Sequence, residues 1–216
     1  SFIFLFTKDF IIQFISIISN LVNIEQPVDN SKRDFIKKSI TLGIIGISST
    51  ATGFGFYNSR KGPAVIKHDI YLESLPESFN NFTIAQISDL HVGPTIKRPY
   101  VENVLDKISI HNPDLIAVTG DLVDGSVKHL SPDLAPLKDM IAPFGTYFVT
   151  GNHEYYSGVD LWLDETDRLG MKNLINSNEL ISRSGDQIAI AGITDLNAHQ
   201  IKPAHRSDPE LALHLV

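Results

Sequence analysis

Nowhere in the 216 residues is there a cysteine. Its absence excludes a disulfide scaffold, a thiolate zinc site, an iron–sulfur cluster and a cysteine nucleophile, so any metal must be held by nitrogen and oxygen. Basic residues are also scarce: 18 Lys and Arg face 25 Asp and Glu, a formal net charge of -7. A protein that grips nucleic acid through its phosphates needs a basic face, and this balance argues against one. Charged residues make up 20% of the chain against 43% hydrophobic, too few for a disordered polyampholyte. The length suffices for one domain with a sizeable core, or a domain plus an appendage.

The shortage of basic residues is uneven. Residues 1–67 hold eight Lys and Arg against four Asp and Glu, a balance of +4, whereas residues 68–216 hold ten against twenty-one, a balance of -11. A basic, apolar part therefore precedes an acidic one. The sequence opens on Ser1 inside an apolar run with no initiator Met, which reads as a start lying upstream.

Residues 1–61 read as membrane-associated. Over 10–22 apolar residues recur around a narrow stripe of Gln13, Ser16, Ser19 and Asn20, predicting an interfacial helix. Residues 39–57 are nineteen uncharged positions rich in Gly, Ser, Thr and Ile, the length of a transmembrane helix or an uncleaved signal segment. Lys32, Arg33, Lys37 and Lys38 precede it, and Arg60 and Lys61 follow. That bias puts the N-terminal side in the cytoplasm and the downstream domain outside the cell membrane. Gly62-Pro63 then starts a linker over 62–80, in which loose alternation over 64–75 predicts an edge strand.

From 81 to 216 the pattern changes to short β-rich runs at 82–88, 115–119 and 146–150, separated by helical periodicity over 100–110 and 130–141. Strand–helix–strand units imply a right-handed parallel sheet. In such a sheet the ligand site lies beyond the carboxyl ends of the strands. Each run ends in a polar cluster: Asp89-Leu90-His91, Gly120-Asp121-Leu122-Val123-Asp124 and Gly151-Asn152-His153-Glu154. Asp89, His91, Asp121 and Asn152 are oxygen and nitrogen donors suited to Mn, Fe or Zn. An Asp-x-His pair at a strand end is expected to point both side chains to one face by alternation. Asp121, on the central strand, is placed to bridge two ions, and two ions roughly 3.5–4 Å apart can drive displacement at phosphorus. Gly120, Gly125 and Gly151 permit the sharp turns such loops need.

In order and spacing the three clusters resemble the D-x-H, G-D-x-x-D and G-N-H-[DE] signature of the calcineurin-like metallophosphoesterases, and match it without a departure over about 65–216. The longer surroundings resemble the membrane-anchored bacterial branch. The resemblance implies an α/β fold, a four-layer α/β/β/α sandwich, preceded here by membrane helices. It implies that Asp89 and His91 hold one divalent ion, that Asp121 bridges, and that Asn152 holds a second. It implies that His153 protonates or stabilises the leaving oxygen while Asp124 orients His153. Glu154, Tyr155 and Tyr156 are expected to line the mouth of the site, with packing of one tyrosine an equal alternative.

The family pattern also has a later histidine and a Gly-His-x-His pair, whereas His199, His205 and His214 lie in other contexts. The expectation is a domain cut short, poor in metal binding and turnover by itself. The function so implied is metal-dependent hydrolysis of a phosphomonoester or phosphodiester, on a lipid or envelope molecule, by a membrane-anchored enzyme. A non-catalytic membrane scaffold or sensor that keeps the fold is the alternative, and a nuclease is a third reading that the acidic charge disfavours.

Overall fold

The computed structural model describes residues 13, 16, 17, 30–60 and 62–214. The chain divides into two units, Ser1–Lys61 and Gly62–Val216. In the first unit, helix α1 runs over Asn30–Arg60, about 46 Å at 1.5 Å per residue. Its stretch Asn30–Tyr57 is long and apolar enough to cross a membrane, and none of its apolar window is buried. The helix starts nine residues before the expected 39 because Lys and Arg are good helix formers and do not interrupt it. The interfacial helix expected over 10–22 lies outside the described residues except at 13, 16 and 17, which are helical.

In the second unit the expected edge strand does not form: residues 62–76 hold no strand, and Val65, Ile66, Ile70, Tyr71 and Leu72 are exposed. Alternation specifies a strand only where a sheet edge takes up its backbone and one face is buried, and no strand pairs with this segment among the described residues.

Four strands, β1 (Ile84–Ile87), β2 (Leu115–Thr119), β3 (Thr146–Val149) and β4 (Lys172–Asn173), form one parallel sheet in the order β1-β2-β3-β4. Helix α2 (Arg98–His111) connects β1 to β2, α3 (Val127–Leu134) lies between β2 and β3, and α4 (Asn152–Ser157) and α5 (Val159–Arg168) lie between β3 and β4. The helix expected over 130–141 is split: α3 gives way to a 3-10 turn at Ala135–Asp139. Pro136 has no N–H to bond the carbonyl four residues back, so the α-ladder stops there. Strands β5 (Ser177–Arg183) and β6 (Asp186–Gly192) form an antiparallel hairpin, and the short α6 (Pro209–Ala212) follows.

The inner strands are apolar on both faces, as a covered parallel sheet requires. Ile116, Val118 and Phe148 pack with Val101, Val104, Leu134 and Trp162 of the helices. Their neighbours Leu115, Ala117, Tyr147 and Val149 pack with Ile181, Ile188 and Ile190 of the hairpin. Helices, parallel sheet and second sheet thus form successive layers of a mixed α/β fold. Each fully buried large side chain contributes about 1.5–3 kcal/mol. Register pairs Ile87 with Val118 and Thr119 with Val149, so the three polar clusters leave the sheet along one edge.

Candidate metal centre

Alternation does not aim the Asp-x-His pair. Strand β1 stops at Ile87, and both Asp89 and His91 take left-handed backbone, with φ of 57° and 47°. Asp121 does the same at 51°, directly after Gly120 at 81°. Each left-handed non-glycine residue costs about 1–2 kcal/mol, and such strain persists only where surrounding bonds hold it. Here the first two loops form an irregular ladder: Asp89 N–H donates to the Gly120 carbonyl (3.2 Å), His91 N–H to Asp121 (3.0 Å), Val92 N–H to Leu122 (2.9 Å) and Asp124 N–H to Val92 (2.8 Å). Val92, Leu122 and Val123 are buried beneath them. The second and third loops meet glycine to glycine, since a Cβ on Gly120 would fall on the backbone of Gly151.

These turns bring the predicted residues together. His91 Nε2 lies 3.7 Å from Asp89 Oδ1 and 4.0 Å from Asp121 Oδ2. Its Nδ1 lies 3.0 Å from Asp124 Oδ1, and His153 Nδ1 lies 2.5 Å from the same oxygen. The two imidazoles meet edge to face, 4.5 Å between centroids. Asp121 Oδ1 also accepts the His153 backbone N–H at 2.9 Å. The Asn152 amide abuts both Asp121 oxygens at 3.1 and 3.2 Å. With its nitrogen inward it donates to them, and with its oxygen inward the three oxygens need a cation between them.

Burial pulls the His91 pKa down, but the hydrogen bond and charge of Asp124, with the charges of Asp121 and Asp89, outweigh it and hold the ring above its ordinary value. Burial likewise pushes Asp124 up, and the bonds and charges of His91 and His153 overcome this and hold its carboxyl below the usual range. The site therefore favours added positive charge beside His91 Nε2. His91, Asp121 and His153 each offer a ligand atom within 4.8 Å of the others, and this donor set fits a hard or borderline divalent ion.

Glu154 and Tyr155 do not line the mouth. Glu154 is 1% exposed, and its oxygens accept from the backbone N–H of Leu122 (2.8 Å), Gly151 (2.7 Å) and Asp121 (3.0 Å). Burial raises its pKa, three N–H donors oppose that, and the Asp121 charge adds to it, leaving it above its ordinary value. Tyr155 is also buried, its hydroxyl 3.1 Å from Thr150 Oγ1 and 2.9 Å from His205 Nδ1. Both residues turn inward because buried backbone and hydroxyl groups there need partners. Tyr156 alone of the three stays outside, 67% exposed, its ring 5.7 Å from His153. Of the later histidines, His199 is half-buried with Nδ1 3.1 Å from the Leu196 carbonyl, His205 is buried and His214 is exposed.

Two further contacts support the loops of the site. Trp162, buried in α5, donates its indole N–H to the Gly125 carbonyl at 3.0 Å, next to Asp124. As an apolar position of a helix it carries no sequence signal beyond core packing. Glu154 did carry one: Gly151 with Glu three residues later has capping-box spacing, in which the acid reaches back to backbone N–H groups.

Comparison with known proteins places this geometry. The profile of the family described as Calcineurin-like phosphoesterase matches residues 82–210. A zebrafish (Danio rerio) relative called "Transmembrane protein with metallophosphoesterase domain" is 35% identical over 173 residues, 78% of this chain and 40% of that protein. The Bos taurus protein of the same name is 32% identical over 194 residues, 86% of this chain and 43% of its own. An "Uncharacterized metallophosphoesterase" of Helicobacter pylori is 29% identical over 170 residues, 79% and 43% of the respective chains. The chain thus spans about four-tenths of the length of these relatives, and two of them carry a transmembrane name. Matched over more than half its length, with the three clusters converging at one sheet edge, the chain belongs to the calcineurin-like phosphoesterase family.

Proposed function

We propose that the whole protein is a membrane-anchored hydrolase of phosphomonoesters or phosphodiesters that works with two divalent ions, Mn, Fe or Zn. The observation that carries this reading is the convergence of Asp89, His91 and Asp121 around His91 Nε2, beside the Asp124–His153 pair. In this reading Asp89 and His91 hold one ion, Asp121 bridges, and Asn152 holds the other. When bound, the ions supply Lewis-acid charge on the phosphate and lower the pKa of water. Asp124 accepts the Nδ1–H of His153 and so turns Nε2 outward, and the ring acts as an acid in the form that carries a proton on both nitrogens. The attacking water gives up one proton to solvent and its oxygen bonds to phosphorus as the phosphorus–oxygen bond to the leaving group breaks, and the His153 Nε2 proton passes to the leaving-group oxygen.

Residues 1–61 serve as the membrane part, 62–80 as a linker and 81–216 as catalytic domain. The helix over Asn30–Tyr57 supports an anchor in the cell membrane, and the excess of basic residues before it supports an extracytoplasmic domain. A lipid or envelope phosphate ester suits an acidic domain tethered at a membrane better than nucleic acid does. The test is Mn-dependent hydrolysis of bis(4-nitrophenyl) phosphate by the full-length protein, with Asp121→Asn as control. Hydrolysis lost in that variant supports the reading. Activity that survives Asp121→Asn, or none in the unaltered protein, overturns it, and the second outcome leaves the scaffold reading.

A further inference from the structure

Tyr156 stands apart from its neighbours on α4. Glu154 and Tyr155 are consumed by hydrogen bonds inside the protein, whereas Tyr156 is 67% exposed and its hydroxyl bonds no other group among the described residues. Its ring meets that of His153, 5.7 Å between centroids at 65°. Neither burial nor hydrogen bonding therefore fixes an aromatic residue at this place. The rings of His91, His153 and Tyr156 follow one another, the first pair 4.5 Å apart, from the acidic centre out to solvent.

We propose that Tyr156 is a specificity-determining residue that forms the platform for the leaving group and favours phosphate esters whose leaving group is planar or aromatic. The inference rests on the role given above to His153. If His153 Nε2 protonates the leaving oxygen, that oxygen meets His153, and the group it carries comes within reach of the Tyr156 ring, 5.7 Å from the imidazole. An aromatic ring leaving from that oxygen stacks on Tyr156 in offset or edge-to-face geometry, an arrangement worth about 2- to 10-fold in binding beyond the area it covers. The phosphoryl group is assigned to the acidic centre around His91 Nε2 rather than to Tyr156. Its exposure makes truncation harmless to the core, so the variants should fold.

The experiment uses full-length protein, with bis(4-nitrophenyl) phosphate as substrate and inorganic phosphate as inhibitor. Tyr156→Ala is expected to raise KM for the aryl ester about 2- to 10-fold while kcat stays within about twofold. The inhibition constant of inorganic phosphate, which has no leaving group, should stay unchanged. Tyr156→Phe keeps the ring and is expected to behave as the unaltered protein. The inference is overturned if Tyr156→Ala leaves KM unchanged, if phosphate binding weakens equally, or if Tyr156→Phe is as impaired as Tyr156→Ala. Failure of the unaltered protein to hydrolyse the ester overturns the hydrolase reading itself, and is told apart because no variant is then needed to see it.

Discussion

His91 and His153 are joined through a single oxygen atom: Asp124 Oδ1 lies 3.0 Å from Nδ1 of one and 2.5 Å from Nδ1 of the other. One carboxylate thereby fixes the tautomer of both rings and turns both Nε2 atoms away from itself. The role expected for Asp124, orienting His153, accounts for only one of these contacts. A carboxylate behind a ligating histidine is typically worth 10–100-fold in metal affinity. Asp124→Ala is therefore expected to weaken Mn binding by about that factor and to lower hydrolysis as well. Calorimetric titration of Mn into full-length protein, beside an ester assay, separates the roles: lost activity with unchanged affinity would leave the His91 contact without function.

Glu154 closes a clamp between two loops, since its carboxylate accepts from Asp121 and Leu122 on one side and from Gly151 on the other. Glutamine keeps the shape but turns an N–H₂ toward one or two of these donors. Leaving a buried donor unsatisfied costs about 1–3 kcal/mol. Glu154→Gln is expected to lower the urea midpoint accordingly with an unchanged slope. A midpoint equal to that of the unaltered protein would show that the clamp adds nothing to stability.

How much of this was legible depends on the kind of force involved. Strand β2 falls on the expected 115–119 because Leu-Ile-Ala-Val-Thr has no alternative to burial on both faces. The residues that converge at the candidate metal centre stand out in the sequence because chemistry dictates their types and order. Their geometry does not, since left-handed backbone at Asp89, His91 and Asp121 is held by bonds between loops distant in sequence. Adjacency misled for Glu154 and Tyr155: a helix turns its residues by about 100° each, so only Tyr156 of the three points to solvent. Alternation misled over 64–75 because sequence does not say whether a sheet edge is within reach.

Gly120 tests whether the close approach of two loops is as tight as it looks. A methyl there would fall on the Gly151 backbone, and the residue sits at φ 81°. Gly170 offers a matched control at φ 89° with nothing within 4 Å of an added Cβ. Gly170→Ala is expected to lose about 1–2 kcal/mol from the backbone alone. Gly120→Ala should lose more, on the order of 2–4 kcal/mol, because backbone must also move. Equal losses by urea denaturation would mean that the loops part at little cost.

His205 gives the fold a pH dependence outside the candidate metal centre. Burial lowers its pKa below the ordinary 6.5, the Lys202 charge lowers it further, and Asp160 only partly compensates. Tyr155, whose hydroxyl lies 2.9 Å from Nδ1, is the other titratable group against it. Both folded and unfolded chains hold this histidine neutral above its ordinary value, so it adds no slope there. As pH falls below 6.5 the unfolded chain takes up a proton first, and folding stability declines until the lowered folded value is passed. The slope from one such group is at most about 1.4 kcal/mol per pH unit. His205→Gln is expected to flatten the fall in stability as pH drops below 6.5 relative to the unaltered protein, as read by urea denaturation at each pH. An unchanged slope in the variant would assign the acid sensitivity to other groups and leave the buried imidazole neutral for no energetic consequence.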